Sequence, residues 1–187
     1  MEAEIQKCLK VLHNGGTILY PTDTIWGIGC DATNAAAVAK IFQIKQRPDR
    51  KSLIILLDDA EKLMDYVNSI PEIARDLIKS IDTPLTIIYP GAKNLADNVI
   101  AEDGSVAIRI VKHDFCQRLI HAFGKPVVST SANISGQKAP LTYRSIVNEV
   151  LTGVDYAVNA AFDKIQELKP SRIIKLTMNG EFTIVRK

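Results

Sequence analysis

The sequence has too few cysteines and histidines to suggest a disulfide-rich or metal-organised protein. Its three cysteines, Cys8, Cys30 and Cys116, lie far apart, and no Cys-x-x-Cys occurs. An odd number of widely separated cysteines argues against a disulfide framework and against a zinc knuckle. We therefore predict that the cysteines serve as small core residues. The three histidines show no metal-ligand spacing either, so no protein-held metal site is predicted.

Long apolar runs and a strong excess of charge are also missing. No stretch of 18 residues is apolar, so no membrane-spanning helix and no membrane partner are predicted. Residues 1–4 are acidic and lack the positive-then-apolar order of a secretory signal, which predicts a cytoplasmic protein. The formal net charge of +2 does not by itself indicate a nucleic-acid binder, although it leaves room for a local basic cavity.

The remaining composition is that of a single globular domain. The chain has 187 residues, of which 47% are hydrophobic and 24% charged. This length and balance suffice to bury a sizeable core, so we expect one domain spanning residues 1–187.

Hydrophobic periodicity predicts interleaved helices and strands. The expected helices cover residues 4–14, 34–43, 60–67, 71–80, 114–123 and 142–151. The expected strands cover residues 17–20, 53–57, 85–89, 106–110 and 126–129, followed by 172–177 and 182–186 around Asn179-Gly180, a strong hairpin signal. Interleaving combined with a hairpin predicts an α/β fold of the α+β type, with a mixed, twisted sheet flanked by helices.

The first polar cluster is Pro21-Thr-Asp-Thr-Ile-Trp-Gly-Ile-Gly29, directly after a predicted strand. One interpretation is a turn in which threonine and aspartate side chains cap backbone groups. The other is a loop that presents two hydroxyls, a carboxylate and an indole to a ligand. The local pattern alone favours the turn, because turns are the commonest use of these residues.

The second cluster, residues 45–51, places four cations at the end of a predicted helix. Such cations are often solvated and compensate the helix dipole. They would equally suit an anion site, because arginine forks match carboxylates and phosphates while lysine offers a point charge. The pattern does not decide between these two interpretations.

The third cluster, residues 129–136, is rich in serine and asparagine and follows apolar Val127-Val128. It is either a loop that caps the next element or a row of small donors at a strand end, where ligands bind in open α/β sheets. Arg109 lies inside an apolar predicted strand, so its charge must be paired or bind a ligand. A structural salt bridge is a serious alternative for this residue.

Together these clusters resemble the YrdC (TsaC) family of threonylcarbamoyl-AMP synthases. Four motifs occur in the family's order between about residue 15 and the region of Ser171. They are the Pro21–Gly29 segment, Lys45-Gln-Arg47-Pro48, Val106-Ala-Ile-Arg109, and Ser131-Ala-Asn133 followed by Ser135-Gly136. The resemblance implies a YrdC-like fold with a concave basic cavity.

The resemblance also implies a reaction. The family condenses L-threonine, bicarbonate and ATP into threonylcarbamoyl-AMP and pyrophosphate, and downstream transfer proteins then modify an adenosine of tRNA. Every substrate has a negatively charged group, which a cationic cavity would attract. Mg²⁺ would accompany ATP and sit mainly on the phosphate oxygens, because no carboxylate cage is visible.

Residue roles carried over from the resemblance fall into three groups. The catalytic set comprises Lys45, Arg47, Ser131 and Asn133. Threonine and the carbamate would be held by Thr22, Trp26, Arg47, Arg109 and Ser129. ATP would be bound by Lys45, Ser105, Ser131, Asn133 and Ser171.

Two departures and two rival functions qualify these roles. Trp26 replaces the family's usual tyrosine and loses its hydroxyl acceptor, while Arg172 replaces the usual threonine after Ser171. The first rival is a double-stranded RNA- or tRNA-binding protein of the same fold without this activity. The second is a sister enzyme that transfers a carbamoyl or carboxyl group to another substrate.

The first testable prediction concerns Arg47. Arg47→Ala should abolish adenylate formation and leave the melting temperature nearly unchanged, because truncating a side chain at a surface cavity costs little stability. Pyrophosphate release and thermal unfolding measured on the same preparation check it. Wild-type turnover in the variant would refute the assigned role.

Overall fold

The structure, a computed structural model, describes residues 1–46, 53–162, 170–177 and 179–187. The strands of this part of the chain are β1 (Ile18–Tyr20), β2 (Gly27–Gly29), β3 (Ile54–Leu57), β4 (Leu85–Tyr89), β5 (Val106–Ile110), β6 (Val127–Ser131), β7 (Tyr156–Ala157), β8 (Arg172–Leu176) and β9 (Phe182–Arg186). The helices are α1 (Glu2–His13), α2 (Ala35–Ile44), α3 (Leu63–Tyr66), α4 (Glu72–Ser80), α5 (Asp114–Phe123) and α6 (Asn148–Gly153). Short 3₁₀ turns cover Ala60–Lys62, Tyr143–Ser145 and Ala160–Phe162.

These strands form one mixed sheet in the order β7-β1-β2-β6-β3-β5-β4-β8-β9. The pairs β1/β7, β3/β5 and β4/β8 are parallel, and the other neighbours are antiparallel. The predicted fold class, a mixed sheet flanked by helices, is confirmed. No helix in the described ranges is long and apolar enough to cross a membrane.

The helix ends follow from local chemistry. The side chain of Asn34 accepts hydrogen bonds from the backbone N–H groups of Ala36 and Ala37, and so caps the start of α2. The helix ends at Ile44 with Lys45 as its C-cap, and the Lys45 ammonium donates to the Ser131 carbonyl at the end of β6. Helix α5 ends at Gly124, whose φ of 73° is the left-handed conformation that favours glycine.

The core lies between the sheet and the apolar faces of α1 and α5. The buried residues of these two helices are Ile5, Cys8, Leu9, Leu12, Phe115, Cys116, Leu119, Ile120 and Phe123. Each of the three cysteines is buried and free. Burial raises the pKa of the Cys8 thiol to about 12, as expected for a core thiol. The predicted core role of the cysteines is confirmed.

Three predicted elements were wrong in detail. Residues 27–29, expected in a loop, form β2; a Gly-Ile-Gly strand carries one side chain, so no alternation marks it. The helix expected over 142–151 begins at Asn148, because the Thr142 and Ser145 side chains cap each other and close a separate 3₁₀ turn. The helix expected over 60–67 is split into a 3₁₀ turn and α3.

Glycine at position 29 is required by close packing. A Cβ there would lie 2.6 Å from both the Val128 carbonyl oxygen and the Tyr20 ring. The neighbouring strands therefore approach β2 as closely as they do only because no side chain intervenes.

We expect Gly29→Ala to lower the free energy of unfolding by about 2–3 kcal/mol, since the added methyl overpacks backbone that cannot move away. The matched control is Gly136→Ala, where φ is +85° but no atom lies within 4 Å of the added Cβ. That control carries backbone strain alone, about 1 kcal/mol. Urea unfolding of both variants measures the difference, and equal losses would contradict the packing argument.

Candidate active site

A cavity of about 480 Å³ opens over one face of the central strands. Ala107 and Arg109 of β5 point into it, whereas Ile108 and Ile110 line a second cavity. Because successive residues of a strand point to opposite sides, the two cavities lie on opposite faces of β5. The first cavity collects the predicted residues Trp26, Arg109, Ser129, Ser131 and Ser171.

Trp26 forms one wall of this cavity. Its side chain is buried, and its ring meets the Tyr143 ring edge-on with centroids 5.0 Å apart. The Trp26 carbonyl accepts a hydrogen bond of 3.1 Å from the Ala132 N–H, which ties the first polar cluster to the third. The indole is therefore a fixed apolar surface.

Thr22 shapes the loop from within. Its hydroxyl donates to the Ile25 carbonyl at 2.7 Å and accepts from the Thr24 N–H at 3.2 Å. Thr22 is buried, and Thr24, Ile25 and Trp26 are the residues of this loop that reach the cavity. The turn and the ligand-loop interpretations are thus compatible, because the turn presents the wall. The predicted contact between Thr22 and threonine stays a prediction.

Lys45 is buried at the end of α2 and holds the third cluster in place. Its ammonium donates to the Ser131 carbonyl at 2.6 Å and to the Asn133 carbonyl at 2.8 Å. The Lys45 carbonyl in turn accepts from the Ser135 N–H at 2.8 Å. The lysine thus orients the polar end of β6, and its predicted contact with the triphosphate stays a prediction.

Asn133 turns its amide nitrogen away from the cavity. Nδ2 donates to the Ile134 and Gln137 carbonyls at 2.9 and 2.8 Å. Its Oδ1 is buried and accepts no hydrogen bond from the described part of the chain. Asn133 therefore rigidifies the loop beside Ser131, and its Oδ1 is the atom left for a donor.

Two predicted residues remain, Arg47 and Ser105. Arg47 lies outside the described residues, so its role stays a prediction. Ser105 is buried away from the cavity lining and donates to Asp103 Oδ1 at 2.5 Å. Hydrogen bonds from Lys175 and then Ser105 lower the pKa of Asp103 to about 2. Ser105 therefore serves the loop before β5, and its predicted ATP contact is untested.

Arg109 makes a buried ion pair beneath the cavity. Its Nη2 lies 3.1 Å from Asp23 Oδ1, and the two side chains are 4% and 6% exposed. Neither carboxylate oxygen of Asp23 accepts a hydrogen bond within the described ranges, and Arg109 Nε donates none there. The pair is therefore held by charge attraction without the usual fork geometry.

Sequence analysis missed a second arginine, Arg186 of β9. The register between β8 and β9 shifts at Ile173/Ile174, so that Ile184 faces Ile174 while Arg186 faces Ile173. This bulge brings Arg186 to the cavity beside Val185, and Arg186 also borders a further cavity together with Phe182 and Ile184. No periodicity signal in the sequence reveals such a shift.

Hydrogen bonds fix Arg186 at the cavity. Nε donates to the Ser171 carbonyl at 3.0 Å, and Nη2 donates to the Ser171 hydroxyl at 3.2 Å. Ser171 Oγ also lies 2.8 Å from the Thr86 hydroxyl. Burial and then the nearby Arg109 lower the pKa of Arg186, so the two guanidinium groups influence each other.

The electrostatics of the cavity favour an anionic ligand. Among its described lining residues, the charged ones are Arg109 and Arg186, accompanied by serine and threonine hydroxyls. No group of three or more histidine, cysteine, aspartate or glutamate side chains in the described ranges is placed to hold a metal ion. An anion with several oxygens would relieve the repulsion between the two arginines.

The model of the Sua5/YciO/YrdC family, described as telomere recombination, matches residues 10–187. The chain belongs to this family. A relative named threonylcarbamoyl-AMP synthase, from Pseudoalteromonas translucida (strain TAC 125), is 36% identical over 183 residues, covering 96% of each chain. The resemblance stated from the four motifs is confirmed.

Solved structures of family members have the same architecture. P. abyssi Sua5 complexed with L-threonine matches with a TM-score of 0.86 at 27% identity. That match covers 94% of this chain but only 52% of the Sua5 chain. E. coli YciO matches with a TM-score of 0.85 at 25% identity, covering 100% of this chain and 90% of YciO.

We expect Arg186→Gln to weaken binding of inorganic pyrophosphate about tenfold, since it removes one charge-assisted contact from the cavity. Lys187→Gln, an exposed neighbour that does not line the cavity, is the matched control for charge. Isothermal titration calorimetry measures both affinities. Equal losses in the two variants would show that net charge, not the position of Arg186, determines the affinity.

Proposed function

We propose that the protein is a threonylcarbamoyl-AMP synthase. It condenses L-threonine, bicarbonate and ATP into threonylcarbamoyl-AMP and pyrophosphate, as a cytoplasmic step towards threonylcarbamoyladenosine in tRNA. The observation that carries the proposal is a single cavity in which Arg109 and Arg186 lie beside small hydroxyl donors. Relatives with this name at 30–36% identity support it.

The substrates fit the charges of the cavity. A carboxylate and a carbamate suit a guanidinium, and the triphosphate suits a second one. Arg109 would hold the carboxylate of threonine, and Arg186 with Ser171 would meet phosphate oxygens. Ser129 and Ser131 lie at the end of β6 and line the same cavity as the two arginines, as donors to the reacting group.

The chemistry needs no protein nucleophile. The amine of threonine captures carbon dioxide from bicarbonate as a carbamate. A carbamate oxygen attacks the α-phosphorus in line, an oxygen–phosphorus bond forms, and the bond to pyrophosphate breaks. The protein contributes positioning of the reactants and stabilisation of charge, which together dominate the catalysis of transfer at phosphorus.

Mg²⁺ would be carried in by the triphosphate and would neutralise charge on its oxygens. The cavity's described donors are hydroxyls and guanidinium groups, which suit phosphate oxygens better than a bare cation. The product would pass to transfer proteins that act on tRNA. The volume of the cavity suits a small-molecule ligand. The rival function, direct tRNA binding, is therefore not needed to explain it.

The test is pyrophosphate release from ATP and Mg²⁺, with and without L-threonine and bicarbonate. We expect release only when both are present. Arg109→Gln should lower kcat/KM for threonine roughly 100-fold, because it removes a charge-assisted contact to a reacting anion. Lys112→Gln is the matched control, since Lys112 contacts Ile81 and Asp82 outside this cavity.

Each contrary outcome points to a named alternative. Release without threonine would indicate a sister enzyme with another acceptor. A folded protein that binds double-stranded RNA but neither binds ATP nor releases pyrophosphate would establish the RNA-binding rival.

A further inference from the structure

We infer that Asp23 is a positioning residue, which orients the Arg109 guanidinium and balances its charge until a substrate anion arrives. This inference rests on the proposed function, because Arg109 is the residue proposed to hold the carboxylate of threonine. It concerns a side chain that borders the second cavity and does not line the one that Arg109 faces.

The contact between Asp23 and Arg109 leaves hydrogen-bonding capacity unused. Oδ1 and Nη2 are 3.1 Å apart, yet neither carboxylate oxygen accepts a hydrogen bond from the described residues. A purely structural pair this deeply buried would satisfy both partners, because unsatisfied buried charges are costly. Here the charges attract each other, while Nε of Arg109 finds no acceptor among the described residues.

The loop that carries Asp23 is fixed on both sides. Thr22 is bound to Ile25 and Thr24 by hydrogen bonds from and to its hydroxyl. The Pro21 carbonyl accepts from the buried Cys116 thiol at 3.1 Å. The carboxylate therefore has a defined position from which to direct a guanidinium.

Charge balance follows from the same geometry. Without Asp23, Arg109 and Arg186 would leave two like charges facing one cavity, and any small anion would bind there. With Asp23, these three described side chains together carry one excess positive charge, so a carboxylate must align with an oriented guanidinium to bind well. Orientation and selectivity thus depend on one buried carboxylate.

Asp23→Asn separates these effects, because it keeps the shape of the side chain and removes its charge. We expect KM for threonine to rise at least tenfold, while kcat and KM for ATP stay within threefold. Inhibition by sulfate should become at least fivefold stronger, since the cavity gains positive charge. Asp23→Glu, which restores the charge, should return the sulfate inhibition constant to within twofold of the wild-type value.

Asp31→Asn is the matched control. Asp31 is equally buried and ion-paired, with Oδ2 2.8 Å from Lys125, but it lies outside the cavity lining. This variant should lose stability without changing KM for threonine or the sulfate inhibition constant.

Stability provides a second readout if Asp23→Asn folds poorly. Sulfate at 20 mM should raise the melting temperature of Asp23→Asn more than that of the wild type or of Asp31→Asn, because an anion replaces the missing counter-charge at Arg109. A destabilised Asp23→Asn that sulfate does not rescue would overturn the inference. So would a folded variant with the wild-type KM for threonine and sulfate inhibition constant.

The two proposals fail separately. An inactive wild-type enzyme would refute the proposed function, while the sulfate dependence of the melting temperature still tests the pairing of Asp23 and Arg109. An active wild type with an unaltered Asp23→Asn would refute the positioning role alone.

Discussion

Strand β6 holds the architecture together, because it pairs with two partners along its five residues. Val127, Val128 and Ser129 pair with β3, while Thr130 and Ser131 pair with β2. The glycine-rich β2 permits this, since its neighbours approach to a distance that no side chain would allow. The two halves of the sheet are thereby joined at the strand whose polar end borders the cavity.

Buried charge organises the same region. Lys45 donates from its ammonium to backbone carbonyls at the end of β6 and just beyond it, and Asp23 is matched to Arg109 underneath the cavity. The charged groups of both side chains interact mainly with neighbouring protein groups and not with solvent. Among the described residues that line the cavity, the cationic ones are Arg109 and Arg186, which come from strands far apart in the chain.

The sequence predicted the elements whose side chains follow a regular period. Helices α2 and α5 and strands β4 and β5 lie within a residue or two of their expected bounds, because apolar residues recur there at helical or alternating spacing. Strand β2 was not predicted, because glycines have no side chains that could form an alternating pattern. The 3₁₀ turn before α6 was not predicted, because it depends on two hydroxyl side chains that cap each other and separate this turn from the helix.

The candidate site shows the same limit. One cavity is lined by Trp26, Arg109, Ser129, Ser131 and Ser171, since motifs at strand ends and on one strand face meet once the sheet forms. Arg186 could not be anticipated, because it reaches the cavity through a register shift between two strands. The ion pair of Arg109 was weighed from its buried position, but its partner Asp23 lies in a distant loop that only tertiary structure brings near.

The alternation of polar and apolar side-chain environments along β5 also disfavours misaligned pairing of this strand. Ala107 and Arg109 face the cationic cavity, while Ile108 and Ile110 face the other one, beside Ile78 and Ile87. If β5 slipped by one residue against its neighbours, the guanidinium would be driven among isoleucines and its present contact with a carboxylate would be broken. The arginine proposed to bind the ligand therefore also disfavours misaligned strand pairing, because a wrong register buries its charge at a cost that the correct one avoids.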